Sequence, residues 1–228
     1  MKSVARLAFL ATVGVAGLCA NSAAQADTFT FTSCHLSEGC GTATSFGTVT
    51  LTQSGTSVNF DVVLNSGNIF VETGAGAQSL FLFNDSLSGS LVNTISATLN
   101  GATVTIPGGL SGQTNLSPVM ADGTGTFTAR VFCTTASECN GASGPDINDL
   151  HFTVTNATIA GLTTPNANGN IFVADILCGQ TGCPAGGPTG LVDVSQVPGP
   201  IVGAGLPGLV MACGGLVGLA RRRRRKLV

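Results

Sequence analysis

The 228-residue chain has no tryptophan and no tyrosine, and its only two lysines stand near the ends, at Lys2 and Lys226. A conventional sugar site, which stacks a ring on Trp or Tyr, has nothing to be built from, leaving only a glycan site made of Asn, Asp and Thr hydrogen bonds. Without lysine the middle of the chain can run neither Schiff-base nor Ser-x-x-Lys chemistry. Positive charge is scarce as well: between residues 27 and 196 Arg130 is the one base against eleven acids, so this segment carries −10 while the whole chain is only −2. A polyanion without a basic patch repels phosphate backbones, which excludes nucleic acid as a partner and makes cations or cationic surfaces the natural electrostatic ones. There is no Gly-x-Ser-x-Gly, His-Glu-x-x-His or Cys-x-x-Cys, and no phosphate-cradling glycine loop.

Long apolar runs occur only at the two ends. Lys2 and Arg6 precede an apolar stretch from Leu7 to Ala20, followed by Ala24-Gln25-Ala26. This is a charged n-region, a short h-region and a small-x-small site, so residues 1–26 are expected to be a secretory signal removed between Ala26 and Asp27. The second run, Ile201 to Ala220, holds 20 residues without a charge, enough at about 1.5 Å per residue to cross a hydrocarbon core of roughly 30 Å. Arg221, Arg222, Arg223, Arg224, Arg225 and Lys226 follow it directly. A basic flank stays in the cytoplasm, so the expected topology places the preceding domain outside. Gly214 and Gly218 also offer a small-xxx-small face on which the span could pack against another helix.

Between the ends, apolar residues alternate with Thr, Ser and Asn. In Thr28-Phe29-Thr30-Phe31-Thr32 the rings point one way and the hydroxyls the other. The same two-residue period recurs at Val49 and Leu51; at Val58, Phe60, Val62 and Leu64; at Val104 and Ile106; and at Phe152 and Val154. A single strand over Thr126–Phe132 is also expected. Asn100-Gly101 reads as a tight hairpin, while Ser66-Gly67-Asn68 and Asn168-Gly169 mark further turns. About ten such strands predict an all-β domain over residues 27–196, a β-sandwich or related β-roll, with a single C-terminal transmembrane helix.

Cys19 and Cys213 belong to the two terminal runs; the other six cysteines form close pairs in sequence: Cys34 with Cys40, Cys133 with Cys139, and Cys178 with Cys183. Six cysteines allow 15 connectivities, of which local pairing is the simplest. A zinc site from two pairs is the rival, but thiolate zinc sites favour shorter spacings and a reducing compartment. The stretches FTSCHLSEGCG and RVFCTTASECNG look alike, as two similar hairpin tips or as traces of a duplication.

Candidate chemistry is thin. Asp149 and His151 would share one side of a strand as a carboxylate–imidazole pair, with an exposed, non-catalytic His151 as the plainer reading; His35 sits inside a cysteine loop. Asp146, Asn148 and Asp149 form the densest oxygen cluster, a weak calcium candidate or a set of turn caps. No catalytic residue, cofactor or metal is assigned. Eleven acids do leave a two-carboxylate hydrolase as a remote alternative.

The tail resembles the PEP-CTERM sorting signal: a short proline motif at Val197, Pro198, Gly199 and Pro200, an apolar helix over Ile201–Ala220, then the arginine cluster. Gly199 stands where that motif usually has Glu. The resemblance implies an exported protein of a bacterium with an outer membrane that makes exopolysaccharide. Signal peptidase and an exosortase-like enzyme would be its processing partners, and the membrane would hold it until residues 197–228 are processed. An inner-membrane intermediate would then give way to a cell-surface or extracellular form. The role expected of the domain is non-enzymatic, that of an envelope or matrix protein with exopolysaccharide as its contact; a small-ligand or glycan-binding module is the alternative.

Overall fold

The computed structural model describes residues 25–140 and 144–195. The signal run, the proline motif, the 201–220 span and the arginine cluster lie outside these residues. Among the described residues no helix is long and apolar enough to cross a membrane. The one α-helix among the described residues, α1, is Ile159–Leu162, with Thr158 Oγ1 accepting from Gly161 N at its N-terminus.

The alternating segments form the first sheet. Its strands are β1 (Ala26–Phe31), β3 (Gly47–Ser54), β4 (Ser57–Leu64), β7 (Leu91–Leu99), β8 (Ala102–Val104) and β13 (Asp149–Thr155). They pair antiparallel in the order β1-β3-β4-β13-β7-β8. Asn100 and Gly101, with φ of 51° and 81°, make the predicted two-residue turn between β7 and β8, since both central positions of such a turn need positive φ.

The second sheet is built from β2 (Ser33–Leu36), β5 (Ile69–Phe70), β6 (Phe81–Phe83), β9 (Leu110–Gln113), β12 (Ala129–Cys133), β14 (Asn170–Leu177) and β15 (Thr189–Ser195). Its order is β2-β15-β14-β6-β12-β9, with β5 also on β14. A separate hairpin joins β10 (Val119–Ala121) to β11 (Gly125–Phe127). The fifteen strands of the described residues exceed the ten expected because seven of them are two to four residues long, too short to display a period. The expected Thr126–Phe132 strand is two strands interrupted at Thr128. There the Thr128 hydroxyl accepts from Asp85 N at 2.9 Å and donates to Asp85 O at 3.2 Å, so the chain bends from the hairpin into the sheet.

The two sheets pack face to face as a sandwich. Phe60 and Phe152 from the first sheet stack at 4.5 Å between centroids. Phe60 also meets Phe83 at 5.3 Å, Phe172 at 5.9 Å and Phe81 at 6.2 Å from the second. All five rings are at most 2 % exposed; burying each is worth about 1.5–3 kcal/mol, and edge and offset contacts add to that. A smaller cluster, Leu82, Ala121, Phe127, Val173 and Leu191, lies on the other face of the second sheet under the β10–β11 hairpin. β14 is therefore covered on both sides, and its sequence NIFVADIL runs apolar without alternation.

The three cysteine pairs stand at disulfide distance as predicted, with Cα–Cα separations of 6.0, 6.1 and 5.9 Å for Cys34–Cys40, Cys133–Cys139 and Cys178–Cys183. Such local bridges belong to an oxidising compartment, periplasmic or extracellular. β2 and β14 are both antiparallel to β15, and β14 and β12 are both antiparallel to β6, so these three strands run the same way and all three bridges gather at one end of the sheet. Asn68, 1 % exposed, ties that end together. Its Nδ2 donates to Phe46 O at 3.1 Å and Gln180 Oε1 at 3.0 Å, and its Oδ1 accepts from Gly179 N and Gln180 N, both at 3.2 Å.

Two outcomes follow from this packing. Asn68→Ala strands the Gly179 and Gln180 amide donors, while Phe46 O keeps its bond from Asn65 N at 2.9 Å, and is expected to lower unfolding free energy by about 3 kcal/mol, read by chemical denaturation with the disulfides intact. Arg130 sits on β12 between β6 and β9, with Nε donating to Gln113 Oε1 at 2.9 Å and the guanidinium 4.3 Å over Phe132. Trypsin is expected to spare the folded 27–196 region and, after denaturation and reduction, to cut it at Arg130 alone; rapid native cleavage would contradict the pairing.

Candidate functional site

The titratable groups that the fold brings together lie on the outer face of the second sheet. Along β15, Val192 and Val194 turn into the core, so Leu191 and Asp193 turn out. The register sets His35 and Asp175 on either side of Leu191, and Val173 and Ser33 on either side of Asp193. Two acids and an imidazole thus share one face. The segment from Glu72 to Ser79 and the β10–β11 hairpin fold over it.

Asp193 is 2 % exposed, and its Oδ2 lies 3.1 Å from His35 Nε2. Burial raises the Asp193 carboxyl above the usual range, opposed by the Ser33 hydroxyl and by His35. The other side of the imidazole opens on a shallow cleft of about 550 Å³ lined by Ser37, Thr73, Asp122 and Thr189. Gly123 turns the hairpin at φ 75°, and a Cβ there would come within 2.8 Å of His35 Nδ1. Only glycine satisfies both the turn and the ring beside it.

Deeper under the same cover sit Asp175, fully buried, and Glu72, 3 % exposed. Asp175 Oδ2 accepts from Thr73 N at 2.8 Å and Thr73 Oγ1 at 2.6 Å, and Gly76 N–H is directed at the same carboxyl. A Cβ on Gly76 would lie 2.6 Å from that oxygen. The loop is thus wrapped around a carboxyl group; further along it Ala77 and Gln78 adopt the left-handed region at φ 51° and 57°, their amides donating to Gly74 O and Thr73 O at 3.1 Å. Glu72 Oε1 accepts from Cys133 N, linking the loop to the second disulfide. Burial pushes Asp175 up to about 7, against the Thr73 and Gly76 donors, with the neighbouring Glu72 charge acting in the same direction. Burial likewise pushes Glu72 up to about 7, against the Cys133 N–H and the Arg130 charge.

The residues singled out by sequence go elsewhere. His151 finds its carboxylate on the next strand: Nδ1 lies 2.9 Å from Asp61 Oδ1, both side chains about half exposed. Asp149, the candidate partner on its own strand, accepts instead from Thr98 Oγ1 at 2.6 Å. Directly opposed residues on paired strands are closer than i and i+2 on one strand, and the register pairs His151 with Asp61. In the calcium candidate, Asn148 Oδ1 accepts from Asn100 N at 2.9 Å and Nδ2 donates to Asn100 Oδ1 at 3.2 Å, closing the β7–β8 turn. Asp146 lines a crevice beside Cys139 and Pro145. The trio is divided among separate tasks, and the described residues contain no group of three His, Cys, Asp or Glu side chains placed to hold a metal. Ala26 and Asp27, the expected cleavage pair, lie in β1 opposite Thr52 and Leu51.

Protein-family models, curated proteins and solved structures offer no match to this chain.

The buried acids give the fold a pH signature. Their folded pKa values, about 7, exceed the ordinary 4.5 of Glu72 and 3.8 of Asp175. The native state therefore holds protons that the unfolded chain releases between those limits. Their contribution to stability is complete below about pH 4 and is lost as pH rises through 7. The thermal midpoint is expected to be higher at pH 5 than at pH 8, and Asp175→Asn is expected to flatten that difference.

Proposed function

We propose that the chain is an exported, non-enzymatic cell-envelope or matrix protein whose domain is delivered by a C-terminal sorting tail and then displayed or released. The observation that carries this reading is how the acids are used. Asp175 and Glu72 hold backbone and hydroxyl donors of one loop. Asp85 accepts from Leu87 N and Ser90 Oγ, Asp149 holds Thr98, and Asp193 lies against His35. These carboxyls are committed to holding the scaffold rather than aimed together at one reacting position. The three clustered disulfides suit a compartment outside the cytoplasm, in keeping with the signal peptide and tail read from the sequence.

The alternative, a small-ligand or glycan-binding module, is favoured by the cleft beside His35, whose Ser37, Thr73, Asp122 and Thr189 supply polar groups without an aromatic platform. A polysaccharide or cation that binds there would raise the melting temperature of the folded protein.

The sorting reading has its own outcome. Protein recovered from its native host is expected to lack Ile201–Val228 and to lie outside the inner membrane. Before cleavage the signal-less chain has seven bases against eleven acids, about −4; afterwards one base remains, giving −10, a change visible by isoelectric focusing and intact mass. Substituting Pro198 and Pro200 is expected to trap the uncleaved form. Recovery of the wild-type chain whole from the inner membrane, indifferent to those substitutions, would make the tail an ordinary anchor.

A further inference from the structure

One residue holds both ends and the middle of the loop that covers the second sheet. Val71 N donates to Asp175 O and Asp175 N donates to Leu80 O, each at 3.0 Å, so the chain leaves Asp175 and returns to it. Between these points the Asp175 carboxyl takes the Thr73 amide and hydroxyl and faces the Gly76 N–H. The segment 72–79 is therefore hinged on the Asp175 backbone and fastened by the Asp175 side chain. Releasing the side chain leaves both hinges in place.

Little else holds the segment down. From Thr73 to Ser79 it is made of Thr, Gly, Ala, Gln and Ser, and Ala75 is its one side chain packed on the cluster of Leu82, Val173 and Leu191. Closed, it keeps Ala77 and Gln78 in left-handed backbone, which residues with a side chain rarely adopt, so opening relieves strain. Segments with few buried apolar contacts open ahead of the core. The segment is also a wall of the cleft: Thr73 and Ala75 line it beside His35, and Asp122 N donates to Ala75 O at 3.0 Å, tying the hairpin to the loop.

We propose that residues 72–79 form a proton-controlled lid: with Asp175 protonated it closes over the second sheet, and with Asp175 ionised it swings out on its two hinges and opens the cleft beside His35. In the closed loop Asp175 Oδ1 is buried without a hydrogen-bond partner among the described residues, and so is Glu72 Oε2. A charge left dry there is unfavourable, and opening wets it. Burial accordingly raises the covered Asp175 carboxyl to about 7. The surrounding elements bring Glu72 at the start of the loop, Arg130 on β12, Asp193 on β15, His35 on β2, Asp122 in the hairpin turn and Glu138 before Cys139. Of these, Glu72 is the one whose charge acts on Asp175, and it adds to the drive to open; Arg130 moderates Glu72. Control of ligand access rests on the binding-module reading of the cleft, whereas the lid itself does not.

The test is amide hydrogen exchange, read residue by residue on the full chain recovered from its producing cells, across pH 5 to 9 with the intrinsic pH dependence of exchange divided out. The wetted carboxyl has the ordinary 3.8 and the covered one about 7. Protection of the Thr73, Gly76 and Asp122 amides is therefore expected to fall about tenfold per pH unit from pH 5 and to level above about 7. The Val71 and Asp175 amides, at the hinges, keep theirs. Asp175→Asn retains an acceptor for Thr73 but cannot ionise, and is expected to remove most of that fall. Protection of Thr73 and Gly76 that is indifferent to pH, or is lost only in step with the hinge amides, overturns the proposal, as does a variant that declines like the wild type. The wild-type pattern decides even if the variant misfolds. Should the lid pattern appear while polysaccharide and calcium leave the melting temperature unchanged at every pH, the binding-module reading and with it the control of ligand access fail, and the lid stands.

Discussion

The contact on which the sandwich depends is the stack of Phe60 on Phe152, 4.5 Å apart on neighbouring central strands, with Phe81, Phe83 and Phe172 closing over it from the other sheet. A domain with neither Trp nor Tyr has only phenylalanine to fill large volumes, and it concentrates those rings where the sheets meet. The first sheet can then leave its other face to threonine and asparagine, as in the bonds from Thr28 to Thr50 and from Thr153 to Asn59. That face is polar through hydroxyls and amides more than through charge, consistent with a composition only 9 % charged.

The second sheet solves a different problem. Its outer face is covered, and the cover is held by carboxyl groups rather than by apolar surface alone. Asp175 organises the loop from Thr73 to Gly76, Glu72 reaches the backbone of Cys133, and Asp193 meets His35 below the hairpin turn at Gly123. An acid whose bonds fold a loop over it ends up desolvated, which accounts for the raised proton affinities of all three. The second disulfide and the carboxyl cluster thus form one continuous structure.

The first sheet was largely legible in the sequence because one of its faces is wet, so β3, β4 and β13 carry a clear period of two. The cysteine pairs were legible from spacing, and the β7–β8 turn from Asn100-Gly101. β14 was not, since a strand covered on both faces has no alternation; its single acid, Asp175 in NIFVADIL, was the available signal that something polar is buried there. The His35–Asp193 and His151–Asp61 contacts were illegible for a common reason. Each is made by strand register, and no local pattern says which strands become neighbours.

The nearness of each cysteine to its partner has a consequence for how the chain reaches its final state. Six cysteines allow 15 pairings, yet every observed bridge joins positions five or six apart. A segment threading through a membrane pore in an extended form presents both members of a pair within a few residues of each other, before the next pair emerges. Oxidation in order of emergence then yields the native set without reshuffling. Under the export route proposed above, the chain before crossing lacks all three cross-links at the end where its loops converge.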